Sequence, residues 1–270
     1  MNGSDNKRGS GSAGKVLGLL SLFTPERPIW SPERAGRRMQ VSLATSYRYF
    51  NTLLAAGLLE KLQRNQYVLG PAIVELDRQI RAADPVLKLA RPVMERLLRR
   101  LREPAAILLC RYYRQKVMCV HQETNRPGEP VSSYERGAPR PMFRGATSKV
   151  ILAHLSPRTI VNLWRDHRGE IVAAGMGPGF DDFKSTLKAL RREPVNVSSS
   201  EVDEGRTGIA APIFDANGRV TGSLSIVLLS PRANERAIAR LRMSVLSAAR
   251  EIERSRSVAA PVRLKADHGR

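Results

Sequence analysis

The chain is poor in several residue types, and each shortage excludes something. Only two cysteines, Cys110 and Cys119, occur in 270 residues, too few for a disulfide scaffold or a four-cysteine zinc site, and this fits a reducing cytoplasm. No apolar run approaches the ~20 residues that cross a bilayer, and no hydrophobic segment follows the polar start Met1–Gly14. Neither a membrane span nor a secretory leader is therefore expected. The four histidines (His121, His154, His167 and His268) show no ligand spacing such as His-Glu-x-x-His, and neither a Gly-x-Ser-x-Gly elbow nor a phosphate loop is present. No metal, cofactor or catalytic residue is expected. Acidic residues are scarce as well: 25 Asp+Glu stand against 45 Lys+Arg, a formal charge of +20. That surplus is spread along the whole length. It favours polyanion binding through counterion release, and it equally fits an ordinary set of solvated basic faces.

What is present reads as two domains and a connector. Met1–Gly14 is rich in Gly, Ser and Asn and lacks periodicity, the signature of a flexible tail. From Lys15, apolar residues at Val16, Leu19, Leu20 and Phe23 follow helical spacing until Pro25 and Pro28 end it. Ser31-Pro32-Glu33 opens a short helix to Met39, with a cap residue followed by proline at the first helical position. A second helix spans Ser42–Ala56 and stops at Gly57, and two short strands, Leu58–Lys61 and Tyr67–Leu69, flank a polar tip. Three helices and a hairpin within residues 15–71 outline a winged helix-turn-helix. Residues 72–84 form a linker helix ended by Asp84-Pro85. The second domain, 85–257, opens with another helix to about Arg102. Strands are expected over Ala106–Arg111, Val117–Gln122, Ile209–Phe214 and Val220–Leu229, and helices over Val150–Leu155, Ile160–Trp164, Lys184–Arg192 and Glu235–Arg254. Asn217-Gly218 marks a hairpin turn, and residues 258–270 read as a second disordered tail.

On a helical wheel, Ser46, Phe50 and Leu53 of the second helix fall on one line, flanked by Leu43, Tyr49 and Leu54. Opposite lie Ala44, Arg48 and Asn51, flanked by Thr45, Tyr47 and Thr52, and no acid occurs between Glu33 and Glu60. A guanidinium, an amide, hydroxyls and one small residue are what a helix needs to enter a DNA major groove: Arg grips guanine or phosphate, Asn adenine, and hydroxyls phosphate. Arg64 at the hairpin tip can reach a minor groove or backbone. The candidate duplex-DNA contacts are thus Ala44, Thr45, Tyr47, Arg48, Asn51, Thr52 and Arg64.

Arg38–Arg48 through Leu53, Ala56-Gly57-Leu58-Leu59 and Asn65–Gly70 resemble the winged helix-turn-helix of IclR-type bacterial transcription regulators. Leu89–Met94 resembles the opening helix of that family's effector domain. Glu201-Val202-Asp203-Glu204-Gly205 with Ile209–Asp215 resembles its late motif. The resemblance spans about Lys15 to Ser255. It implies an α+β fold: the winged helix-turn-helix, a linker helix, and a GAF-like sensor domain with a mainly antiparallel sheet flanked by helices. It also implies homodimers that often pair into tetramers, a duplex operator, and control of a neighbouring catabolic operon. Phe143-Arg144-Gly145 stands where the family commonly has His-Ala-Thr/Ser, and Ser148 where it has glycine.

In the second domain, Gly145-Ala146-Thr147-Ser148 precedes an apolar helix, so free backbone N–H groups converge there beside two hydroxyls. An ordinary capped helix explains the same residues. By resemblance this stretch is the effector-binding loop, and Ser198, Gly208 and Ser225 fall on pocket positions. Arg144 and Arg206 suit a carboxylate, and Phe143 and Tyr134 can stack on a ring. A small organic acid, aromatic in one version, is the expected effector. The alternative from another class is a small-molecule-binding or hydrolytic protein whose N-terminal domain makes protein–protein contacts. Cys119 and His121 are expected on one strand face as a packed thiol and a partnered imidazole rather than a catalytic pair.

Overall fold

The computed structural model describes residues 11–126 and 131–259. Most of both expected tails, 1–10 and 260–270, lies outside the described residues. The chain divides after Asp84 into two units, each with its own hydrophobic core.

In the first unit, α1 (Ser12–Leu20) starts inside the expected tail, ahead of Lys15, and ends at Ser21, whose hydroxyl donates to the Gly18 carbonyl at 2.7 Å. Helix α2 (Pro32–Met39) is capped by Ser31, which accepts from the Arg34 N–H, and ends on Gln40 at φ 55°. Helix α3 (Leu43–Ala55) is capped by Ser42, which accepts from the Thr45 N–H at 3.2 Å, and the chain turns at Gly57, φ 67°. The strands β1 (Leu59–Gln63) and β2 (Gln66–Leu69) pair antiparallel, and Trp30 adds a third rung through two backbone bonds with Tyr67. The buried line along α3 is Ser46, Tyr49, Phe50 and Leu53. Ser46 Oγ donates to the Pro32 carbonyl at 2.7 Å, tying α3 to the start of α2, and Phe50 meets Tyr67 edge-on at 4.8 Å. Leu43 and Leu54, expected to flank that line in the interior, are 50% and 37% exposed. The contact surface offered by α1, α2 and the hairpin is narrower than a full apolar stripe. Helix α4 (Ala72–Ala83) buries no residue within the unit.

The second unit is a six-stranded antiparallel sheet in the order β5-β4-β3-β8-β7-β6. Its elements in chain order are α5 (Pro85–Arg99), β3 (Ala105–Tyr113), β4 (Lys116–Thr124), β5 (Pro139–Arg140), α6 (Ala146–Leu152), α7 (Pro157–Ala173), α8 (Phe180–Arg192), β6 (Asn196–Ser199), β7 (Arg206–Phe214), β8 (Val220–Leu229) and α9 (Glu235–Ala259). Strand alternation sorts side chains between two layers. Ile107, Leu109, Ile209, Ala211, Leu224 and Ile226 pack toward α5 and α9, whereas Ala106, Leu108, Cys110, Ala210 and Val227 pack toward α6, α7 and α8. The short strands β5 and β6 carry no hydrophobic alternation and are additions to the sequence reading. Helix α6 begins ahead of Val150, and α7 runs well past Trp164, with a kink at His167 (φ −132°, ψ 24°). At the β7–β8 turn Gly218 takes a left-handed φ of 71°, and Asp215 accepts from the N–H groups of Asn217 and Arg219, both at 2.9 Å. This is a three-residue loop rather than an Asn-Gly two-residue turn.

Candidate nucleic-acid interface and ligand cleft

The first candidate surface follows from how α3 is seated. With Ser46, Tyr49, Phe50 and Leu53 turned inward, Ala44, Arg48, Asn51 and Thr52 are exposed, and Thr45 and Tyr47 are half-buried at the rim. The first turn of α3 is held by its cap, for Ser42 Oγ also donates to Thr45 Oγ1 at 2.8 Å. The Thr52 hydroxyl donates back to the Arg48 carbonyl at 2.9 Å, and Arg48 leaves its guanidinium 6.0 Å from the Tyr49 ring. Arg64 is exposed beside Asn65 at the hairpin tip. Arg27 and Arg34 each lie 5.5 Å from the Trp30 ring, and Arg37 and Arg38 are exposed at the end of α2. The acid-free stretch of sequence is not acid-free in space. Glu33 of α2 accepts from the Tyr47 hydroxyl at 2.8 Å and from Asn65 Nδ2 at 3.4 Å. Hydrogen bonds from Ser31, its own backbone and Tyr47 hold the Glu33 carboxyl below its usual range, and the Tyr47 phenol is pushed up by the same contact. Tyr47 therefore braces α3 against α2 and the hairpin tip, which leaves Arg48, Asn51, Thr52 and Ala44 as the free outward groups.

The second site lies where the start of α6 meets β6, β7 and the segment around Tyr134. A small cleft, partly open to solvent, is lined by Tyr134, Gly145, Ala146, Thr147, Ser198, Glu201, Val202, Asp203, Arg206, Gly208 and Val227. Gly145 has φ 80°, and a Cβ there would stand 2.8 Å from Val202 Cγ2, so only glycine lets this loop close on the 201–202 segment. Thr147 Oγ1 donates to Ser225 Oγ at 2.9 Å and Ser223 Oγ donates to the Thr147 carbonyl at 3.0 Å, which pins the first turn of α6 on β8. Tyr134 is only 3% exposed, its hydroxyl makes no hydrogen bond of full geometry among the described residues although Thr147 and Arg140 lie near enough to act on it, and the Arg140 guanidinium lies 4.4 Å from its ring. Burial pushes the phenol up to about 12, so it stays a donor near neutral pH.

Several expectations change here. The backbone donors ahead of α6 are not free: the Gly145 N–H donates to Glu201 Oε2 and the Ala146 N–H to Ser198 Oγ, both at 2.8 Å. Phe143 is buried in the core against Phe183 and His167 and does not line the cleft; Arg144 does not line it either, being exposed and donating to the Ala173 carbonyl at 3.3 Å. Arg206 lines the cleft, with its Nε donating to the Val131 carbonyl at 2.9 Å. Ser148 and Ser225 are fully buried behind the lining. Glu201, Val202, Asp203 and Val227 are lining residues beyond those singled out from sequence, although Glu201–Gly205 was read there as a motif. Elsewhere, Cys110 and Cys119 face each other across β3 and β4 as buried free thiols, and His121 is bonded to Glu123 at 2.8 Å. Among the described residues no group of three His, Cys, Asp or Glu side chains is placed to hold a metal, and no helix is long and apolar enough to cross a membrane.

The chain is similar to known proteins along most of its length. The family model of the bacterial transcriptional regulator IclR C-terminal domain matches residues 80–254. The HTH-type transcriptional regulator KipR of Bacillus subtilis is 26% identical over 243 residues, covering 89% of this chain and 94% of that one. The HTH-type transcriptional regulator KdgR of Escherichia coli is 25% identical over 251 residues, covering 88% and 89%. Among solved structures, an IclR-type regulator from Silicibacter sp. TM1040 superposes with a TM-score of 0.70 at 22% identity, covering 90% of this chain and 96% of that chain. An IclR homolog from Microbacterium hydrocarbonoxydans, complexed with 4-hydroxybenzoate, gives 0.67 at 21% identity, covering 92% and 100%.

Proposed function

The chain belongs to the IclR family of bacterial transcriptional regulators, and on that footing we propose that it binds a pseudo-palindromic operator as a homodimer and releases or tightens that grip when a small organic acid enters the sensor cleft. Residues 15–71 are the DNA-binding domain, 72–84 the linker helix and 85–257 the effector domain. The observation that carries the DNA reading is the facing of α3: Ala44, Arg48, Asn51 and Thr52 are exposed while Ser46, Tyr49, Phe50 and Leu53 are buried. Arg48 and Asn51 supply base contacts, and Thr45, Thr52 and Arg64 supply phosphate contacts. The effector acts only through its differential affinity for the two arrangements of the DNA domains. The cleft supports an organic acid through the Lys149 ammonium, paired with the lining Glu201, and the buried Tyr134 hydroxyl. The 4-hydroxybenzoate complex of a relative with the same fold supports the aromatic version. A neighbouring catabolic operon is the expected target.

Sequencing the fragments that the purified protein enriches from its own genome tests this reading. One or a few sites with two-fold related half-sites are expected, with affinity that falls steeply as salt rises. Uniform, sequence-independent recovery would overturn it. The homodimer rests on α4, where Val74, Leu76 and Ile80 are 72%, 47% and 56% exposed within the chain. Carrying both Leu76→Glu and Ile80→Glu should raise the dimer dissociation constant at least ~tenfold in sedimentation equilibrium, since each apolar side chain is worth about 1.5–3 kcal/mol when buried. An unchanged dimer would place the interface elsewhere.

A further inference from the structure

The cleft already holds a carboxylate, and it is the chain's own. Glu201 Oε2 accepts from the Gly145 N–H at 2.8 Å, and the same carboxylate pairs with Lys149 Nζ at 2.7 Å. The pair is largely withdrawn from water, with side chains 31% and 18% exposed for Glu201 and Lys149. Beside it stands the Tyr134 hydroxyl, a buried donor that makes no hydrogen bond of full geometry among the described residues, 3.5 Å from the position of a Cβ at Gly145. We propose that Glu201 is the specificity-determining residue of this cleft: it occupies the place of the effector's carboxylate, and an effector is selected by its ability to take that place.

The selection follows from charge. A ligand carboxylate that displaces Glu201 leaves Lys149 paired and the Gly145 N–H satisfied, while Glu201 moves into water. A neutral ligand of the same shape would strand a half-buried ammonium and a backbone donor, each of which is costly without a partner. Glu201 thus acts as an internal competitor that raises the concentration at which an acid is sensed and discriminates against uncharged analogues. Displacement also has a route outward. Two residues on, Asp203 accepts from the Ser133 N–H at 2.9 Å and binds the Ser133 hydroxyl, and Ser133 is held in turn by Arg140. The segment that Glu201 anchors is therefore fastened to the stretch carrying Tyr134 over the cleft.

The inference rests on the effector reading above, and its test does not need the natural effector. Full-length protein and Glu201→Ala are melted in sodium acetate or sodium 4-hydroxybenzoate against sodium chloride at equal ionic strength. Removing the resident carboxylate should let the added one bind, raising the melting temperature of the variant by ~3–5 °C at tenfold excess over its dissociation constant. The wild type should need at least ~tenfold more of the same anion for the same shift. Lys149→Met in the Glu201→Ala background should abolish the gain. Glu201→Gln, which keeps an acceptor for the Gly145 N–H, should show the same direction of change and serves if the alanine protein does not fold. Equal responses in variant and wild type would overturn the proposal and leave the effector reading standing. A response of the variant with none in the wild type would uphold it even where 4-hydroxybenzoate proves not to be sensed.

Discussion

Arg48→Ala in the full-length protein should weaken operator binding by ~1–3 kcal/mol, roughly five- to 150-fold, when measured by fluorescence anisotropy on the enriched site. The side chain is exposed on α3, one turn from Ala44 and beside Asn51, and among the described residues it has no ion-pair partner that its loss would strand. The whole effect should therefore appear in binding, with the thermal unfolding of the protein unchanged. Base contact and phosphate contact are separable: loss of a base contact relaxes preference at one operator position, whereas loss of a phosphate contact lowers affinity uniformly and reduces the salt slope by about one. Combining Arg48→Ala with Asn51→Ala should bring the affinity close to that for unrelated DNA.

Phe50→Ala should act through the opposite face of the same helix and have the larger effect on stability. Phe50 is fully buried, edge-on to Tyr67 and packed with Leu19, Trp30, Tyr49 and Leu53. Truncation of such a ring costs ~3–5 kcal/mol, which in a unit this small lowers its melting temperature by roughly 15–30 °C. The effector unit has its own two cores, one on each face of its sheet. Calorimetry should therefore show an early transition for the DNA-binding unit and an almost unchanged late one. DNA binding should be lost at growth temperature while the cleft still takes ligand. A single transition moving as a whole would show that the two units unfold as one.

The elements that were legible from sequence are those fixed by neighbours in the chain. Ser31-Pro32-Glu33 announces α2, and Ser42 announces α3, because a cap and the N–H it satisfies lie three residues apart. The reading face of α3 follows from its 100° period, although the exposure of Leu43 and Leu54 does not, since it depends on how wide a surface α1, α2 and the hairpin present. The strands β3, β7 and β8 show in their apolar runs, whereas β5 and β6 are short, polar and exist only through partners elsewhere in the sheet. The cleft was half legible. The small residues at Gly145–Thr147 signal close approach, but nothing local says that the Gly145 donor is taken by Glu201, 56 positions on, and the Ala146 donor by Ser198. Likewise Phe143 looks available for stacking until the fold places it against Phe183. Tyr47 was legible as a surface phenol, and its bond to Glu33 was not, because that contact needs α2 and α3 brought together.

The central claim, that the outward face of α3 reads bases in the major groove, is tested most directly by dimethyl sulfate protection of guanine N7 on the enriched operator. Wild type and Arg48→Ala are compared at protein concentrations that saturate each. Wild type should shield specific guanines in each half-site, and the variant should leave at least one of them reactive while remaining bound. An identical protection pattern in the two proteins, or no shielding of N7 by either, would contradict the account.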